Sequence, residues 1–514
     1  MTVGRLGWFS LFAWVALGAG ASACSEDSSS DASTGGTAGD GGTSGSGGTT
    51  TTGGSGGSAG SGGGAGAPSC AGTPAPTDDA KLAAVIGKLH DQLNPLKAPG
   101  GAFAIILDGK LTHVAVSGSK VSSTCDPITP ETLFRTGQIT EVVTTMATLA
   151  LVEQKKLSLT APITDAVPSF QAPPGNGLAK DLTLAHLLAD RGCYSASAAG
   201  AFKCSTLADS VGSANVPLWC VPGSMWSGDI AGYSLAGLAV ESKHGKPFAT
   251  AARELVLDPL KMGGTFEPTE AVKLDHSFGH QDSGFEQKLT GVDCGDLHPA
   301  TQYHGSIQDV GKLAAALLSG GGGVISSSTL NEVFADHGSD FRSTYFRGLA
   351  FTGFQAGEVV WVSGRAAAFR QEMLLLPKQK IGIVTLLNGT SAEPELVNDE
   401  FIAQYASAPV PWPSKTYVPA TADVQSLVGT YEDALGFKGV QKRTLEVSLN
   451  GSDLQAKLVE SAETGTLLPV WSKDNFELTL GGETRSLRFW RDTSGVPFAA
   501  AFPPEGGPAF YRKP

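Results

Sequence analysis

The chain has 514 residues, 41% hydrophobic and 17% charged, enough for one large core and further smaller units. Its 49 Asp and Glu outnumber 36 Lys and Arg, a formal net charge of -13 with no basic block. Nucleic acid is thereby excluded as an expected partner, because binding phosphates takes clustered Lys and Arg.

Arg5 precedes an apolar run from Leu6 to Ala19, and small residues then lead to Ala21-Ser22-Ala23-Cys24. This reads as an export signal over residues 1–23. Small residues ending at a cysteine resemble the bacterial lipobox, although Ala21 stands where leucine is usual. Cys24 is therefore the expected lipidation site, and the membrane an expected partner through that anchor. Ser25 after the cysteine resembles the enteric sorting signal for the outer membrane. Residues 24–76 are almost all Ser, Gly, Thr, Ala and Asp, a flexible tether unable to bury apolar surface. Its root-mean-square reach is about 40 Å.

Six cysteines remain: Cys70, Cys125, Cys193, Cys204, Cys220 and Cys294. An even number in an exported chain points to disulfides. Cys193–Cys204 is the shortest plausible bridge, with the connectivity left open. No C-x-x-C pair occurs, and neither a metal site nor a cofactor is expected.

From residue 77 to 408 helical and strand patterns alternate. Ala80–Leu93 has apolar residues at helical spacing, and Gly101–Leu107 and Leu111–Ser117 are strands joined by an Asp108-Gly109 turn. A long helix carries Ile139, Val142, Val143, Met146, Leu149, Ala150 and Leu151. Further helices are expected at 230–243, 248–256, 307–318 and 328–334, and late strands at 358–362, 369–376 and 381–387. Strands at both ends with helices between them predict an α+β domain whose antiparallel sheet is completed by distant segments. Residues 409–423 are Pro-rich and read as a linker. From 424 to 514 short strands around an Asn450-Gly451 turn, closed by Phe510-Tyr511, predict a small antiparallel β-barrel.

The stretch Leu133-Phe134-Arg135-Thr136-Gly137-Gln138-Ile139-Thr140-Glu141 resembles, without a gap, the class C β-lactamase and D-alanyl-D-alanine peptidase family. So do Thr183–Leu188, Pro222-Gly223…Gly232-Tyr233, Gly245–Gly263 and Asp309–Gly320. Leu427-Val428-Gly429-Thr430-Tyr431-Glu432 resembles the lipocalin-like barrel often appended to it. The resemblance implies a β-lactamase/transpeptidase-like domain, an antiparallel sheet flanked by helices, and three catalytic motifs.

In S-x-x-K the serine attacks a carbonyl, and the lysine one helical turn on takes its proton. Those positions are Gln138 and Glu141 here. Y-x-N falls on Gly228-Asp229-Ile230, and H-x-G or K-T-G on Val362-Ser363-Gly364, where only the glycine survives. Three losses in registers fixed by ungapped flanks imply a non-catalytic relative, with no catalytic residue assigned. The alternative is a serine hydrolase using other residues. Ser117-x-x-Lys120 matches the first motif literally but ends a strand. Asp275-His276-Ser277-Phe278-Gly279 lacks the first glycine of a nucleophile elbow, and His276 and His280 read as surface or capping residues.

Around the old cleft the resemblance places Gln138, Glu141, Asp229, Ser363 and Arg365, with Arg135 and Arg365 as candidate lining residues and partners for Glu141. Such a cleft attracts carboxylates less and suits an amine, a cation or an amide-bearing peptide, a peptidoglycan-derived fragment included. A protein partner is the other expectation.

Overall fold

The computed structural model describes residues 77–513 except 95–97, 171–180, 194–205, 213–217, 219, 229, 284, 290–294, 339–344, 355–356, 413–415, 434–442, 471, 493 and 503–509. The export signal, Cys24, the tether, Cys70, Cys204, Asp229 and Cys294 lie outside the described residues. No helix among the described residues is long and apolar enough to cross a membrane.

Strands β1 (Gly100–Leu107) and β2 (Lys110–Gly118) form the N-terminal hairpin. Its turn residues Asp108 and Gly109 have φ of 51° and 70°, the left-handed conformation such tight turns require. Five later strands join them: β3 (Phe346–Arg347), β4 (Thr352–Phe354), β5 (Val359–Ala366), β6 (Phe369–Leu376) and β7 (Ile381–Leu387). The order is β2-β1-β7-β6-β5-β4-β3, antiparallel throughout. The chain's first strand thus pairs with its last in this sheet, as the strand pattern predicts.

Side chains alternate across the sheet. On β5, Val360 and Val362 enter the larger core, whereas Val359 and Trp361 enter the smaller one on the opposite face. The smaller core is covered by helix α1 (Ala80–Gln92), capped by the Asp79 carboxylate, and by a C-terminal helix. The larger core holds α2 (Ile139–Glu153), α3 (Ile230–His244) and α4 (Ile307–Leu318). The helix on the α1 side is α5 (Pro394–Tyr405).

Every residue of α2 from Ile139 to Leu151 is buried, so its hydroxyls need internal acceptors. Thr144 donates to Pro299 O at 2.6 Å and Thr148 to Thr144 O at 2.8 Å. The Pro-rich segment is anchored at its start: the Trp412 ring lies 5.8 Å from both Phe354 and Trp361.

The C-terminal strands β8 (Gly429–Asp433), β9 (Thr444–Asn450), β10 (Asp453–Leu458), β11 (Thr464–Pro469), β12 (Asn475–Leu480), β13 (Glu483–Arg491), β14 (Pro497–Ala501) and β15 (Phe510–Arg512) close into a barrel. Tyr431, Phe476, Phe489 and Phe510 fill its interior. On its outer surface Trp490, Ala499 and Ala501 pack against Cys193, Cys220 and Met225. Cys193 is bonded to Cys220, with Cα atoms 5.2 Å apart, rather than to Cys204, the shortest of the pairings the sequence left open. The shorter sequence separation was no guide, because the loop carrying Cys193 folds back onto Val221, whose carbonyl its sulfur approaches at 3.2 Å. Cys125 is also disulfide-bonded.

Candidate functional site

A short ribbon, Leu133–Arg135 paired with His304–Ser306, delivers the chain to the head of α2. Gly137 turns it there with φ 49°. A side chain at Gly137 would collide with Gln371, whose Nε2 lies 1.7 Å from where a Cβ would stand. Gln138 then begins the helix with φ -63° and caps no amide. Its side chain instead crosses to β5, where its Oε1 lies 1.6 Å from the place a Gly364 Cβ would take. Gln371 donates from Nε2 to Gln138 Oε1 at 3.3 Å. Gln138 is half-buried, while Gln371 is 1% exposed and its own Oε1 has no partner among the described residues. An unmet buried acceptor of this kind costs about 1–3 kcal/mol.

One turn down α2, Glu141 is buried, and among the described residues no hydrogen bond reaches its carboxyl. Burial pushes its pKa well above the usual carboxylate range, and the Asp190 charge adds to this, against an opposing pull from Arg347. Arg347 is itself ion-paired with Asp190 and donates to Thr352 Oγ1 at 2.6 Å. Neither Arg135 nor Arg365 is the counter-charge of Glu141. Tyr233 stands beside this cluster with its hydroxyl donated to Leu188 O at 2.5 Å. Its tie to a backbone carbonyl is structural.

At the second motif Gly228 has φ 54°, and a Cβ there would come 2.4 Å from the Trp226 ring. The indole therefore fills the room beside the position that a motif tyrosine would occupy. Ile230 opens α3.

At the third motif the strand splits the set. Val362 and Gly364 face α2; Ser363 and Arg365 face α5, opposite the cleft. Arg365 lies among Arg370, Glu395, Asp282 and Glu393, and burial followed by the Arg370 charge lowers its pKa to about 10. Arg135 is also displaced from the cleft. It is 3% exposed and donates from Nε to Thr301 O at 3.3 Å. Beside it burial, reinforced by the Arg135 charge, depresses His304 to about 3. Ser363, Arg365 and Arg135 are therefore not cleft residues. Sequence reasoning also missed Gln371, Asp190, Arg347 and Trp226, which reach the site from other segments.

The other serines do not form a familiar nucleophilic unit. Ser117 meets His90 Nε2 at 3.0 Å, while Lys120 pairs with Asp275 at 2.7 Å, so the two ends of Ser117-x-x-Lys120 point to different partners. Ser277 is buried and receives a hydrogen bond from Asn388 Nδ2 at 2.9 Å. His276 is half-buried against Phe278. His280 is no surface residue: it is 1% exposed and Nδ1 meets Asn388 O at 2.9 Å. Its Nε2 accepts from the Ser122 amide at 3.2 Å, and Ser122 Oγ donates to Glu286 at 2.5 Å. Hydrogen bonds from the serines hold the Glu286 pKa below its usual range despite burial, which makes it a weak base.

The chain is 29% identical over 202 residues to esterase EstB from Burkholderia gladioli, covering 36% of this chain and 51% of the relative. It is 28% identical over 190 residues to penicillin-binding protein 4 from Amycolatopsis lactamdurans, covering 35% and 48%. The chain spans about half the length of these curated relatives. The crystal structure of SurE with D-Leu superposes with a TM-score of 0.62 at 19% identity, over 85% of this chain and 100% of that one, a likeness of fold. The sequence model of the beta-lactamase family matches residues 88–407, more than half of the chain. With the α2 head, the strand-edge glycine and the antiparallel sheet in their places, this chain belongs to the beta-lactamase family.

Proposed function

We propose that this protein is a non-catalytic member of the family, exported and anchored through Cys24 to the outer membrane, that binds a small amide ligand or a protein partner. The observation that carries the reading is the carboxamide of Gln138 at the head of α2, laid against Gly364. An amide offers no labile oxygen nucleophile. The Glu141 carboxyl, which burial pushes toward its neutral form, does not stabilise an oxyanion as an ammonium would. Trp226 crowds the site of the missing tyrosine at Gly228. Losing one member of such a unit removes orders of magnitude in rate, and here the three motifs have lost their reactive side chains.

The mature chain is expected to leave a chromogenic cephalosporin and p-nitrophenyl esters intact. Turnover that survives purification and disappears in a single serine variant would overturn the reading. The anchor has its own test: Cys24→Ser should move the protein from the membrane fraction to the soluble one. A second reading, hydrolysis through other residues, has its best serine in Ser122 beside Glu286 and His280. Ser122→Ala is the variant that decides it. The His280 lone pair meets the Ser122 amide rather than its hydroxyl, so no turnover through Ser122 is expected.

A further inference from the structure

Where the family motif has a serine and a strand edge, the head of α2 carries paired amides, and one buried acceptor there has no partner among the described residues. We propose that the cleft beside Gln138 receives an uncharged carboxamide or peptide amide, and discriminates against the corresponding carboxylate. The inference rests on the binding role proposed above and names its ligand class.

Gln371 is the central residue. Its side chain is almost wholly buried against the turn at Gly137, and its Oε1 has no hydrogen-bond partner among the described residues. A buried amide oxygen left without a partner calls for an N–H donor. Its Nε2 is engaged at 3.3 Å, longer than the usual 2.9–3.0 Å or so, by the half-exposed Gln138. Gln138 caps no helix amide, so its side chain can turn aside without breaking a bond that the fold needs. A ligand amide then matches what is left: its N–H donates to Gln371 Oε1, and its C=O accepts from the Gln371 Nε2 that Gln138 releases. A carboxylate has acceptors only and would set oxygen against oxygen at Gln371.

The remaining walls agree. Gly137 and Gly364 present backbone without side chains on either side of the amide pair. Below it, burial pushes the Glu141 carboxyl toward its neutral form, and Arg347 is held in its pair with Asp190. Arg135 and Arg365 serve other parts of the fold. These described residues offer a ligand carboxylate no cation.

N-acetylalaninamide and N-acetylalanine, each as both enantiomers, differ only at the group in question. Binding to the mature chain is followed by saturation-transfer NMR and by melting shifts. The amide should bind at least tenfold more tightly than the acid. Gln371→Met should melt cooperatively and lose about tenfold in amide affinity, while Gln138→Ala should keep or improve it. Equal or tighter binding of the acid, or amide binding unchanged in Gln371→Met, would overturn the inference. Hydrolysis of the amide would sink the non-catalytic reading and leave the ligand class standing. Absence of binding by either probe, without turnover, would remove the ligand class alone.

Discussion

The two faces of the central sheet treat buried polar groups differently. On the α5 face oppositely charged and amide groups pair across the layer: Arg370 donates to Glu395 at 2.6 Å, Asn398 to Glu372 at 2.9 Å and Thr385 to Asn398 at 2.6 Å, with Glu395 Oε2 and Arg365 Nε left over among the described residues. On the α2 face Gln371 Oε1 has no partner among the described residues, and Glu141 sits buried beside the Asp190 charge with no hydrogen bond to its carboxyl from those residues. The first face carries the signature of a structural layer, where paired ions and amides fix the register of helix on sheet. The second carries unfavourable terms of the kind found at binding sites, where groups await a ligand.

Substitutions on the two faces should therefore differ in sign. The largest effect is expected from Arg370→Met, which strands Glu395 in the interior and should cost about 3–5 kcal/mol, read as a fall in Tm. Asn398→Leu takes a partner from both Glu372 and Thr385 and should cost about 2–3 kcal/mol in the same assay. On the cleft face Glu141→Gln should stabilise, by about 1–2 kcal/mol at alkaline pH. A folded-state pKa raised above the unfolded one gives stability that is full at acid pH and lost as pH rises through the folded value. The gap in Tm between Glu141→Gln and the parent should accordingly widen from pH 5 to pH 9. Gln371→Met, the smallest change, should be neutral or stabilising by up to about 1 kcal/mol, since it removes an unmet acceptor. A large loss of stability in either cleft variant would erase the contrast between the faces.

Much of this scaffold is legible in the sequence because burial on a sheet or helix imposes a period. The expected bounds of α4, β6 and β7 coincide with the structure, and Asn450-Gly451 closes its hairpin with φ 65° at Gly451. The expected helix over residues 248–256 is looser, ending as Phe248–Ala252 and continuing as a wider turn through Leu257. The site was legible only where it is local. Counting from fixed motifs brings Gln138 and Gly364 face to face, 226 residues apart in sequence, and the structure finds them in contact. The same counting sent Ser363 and Arg365 to the cleft, although the alternation of Val360, Val362 and Gly364 already assigns them to the other face. Gln371, Asp190 and Arg347 carry no local signal. They reach the head of α2 from a sheet strand, a loop and the short edge strand β3, and only tertiary packing unites them.

Reaction of the mature protein with a fluorophosphonate, followed by intact-mass measurement, tests the non-catalytic account most directly. The account expects the unmodified mass after prolonged exposure at neutral pH. A stoichiometric adduct on one serine, abolished when that serine is replaced by alanine in a protein that still melts cooperatively, would contradict it.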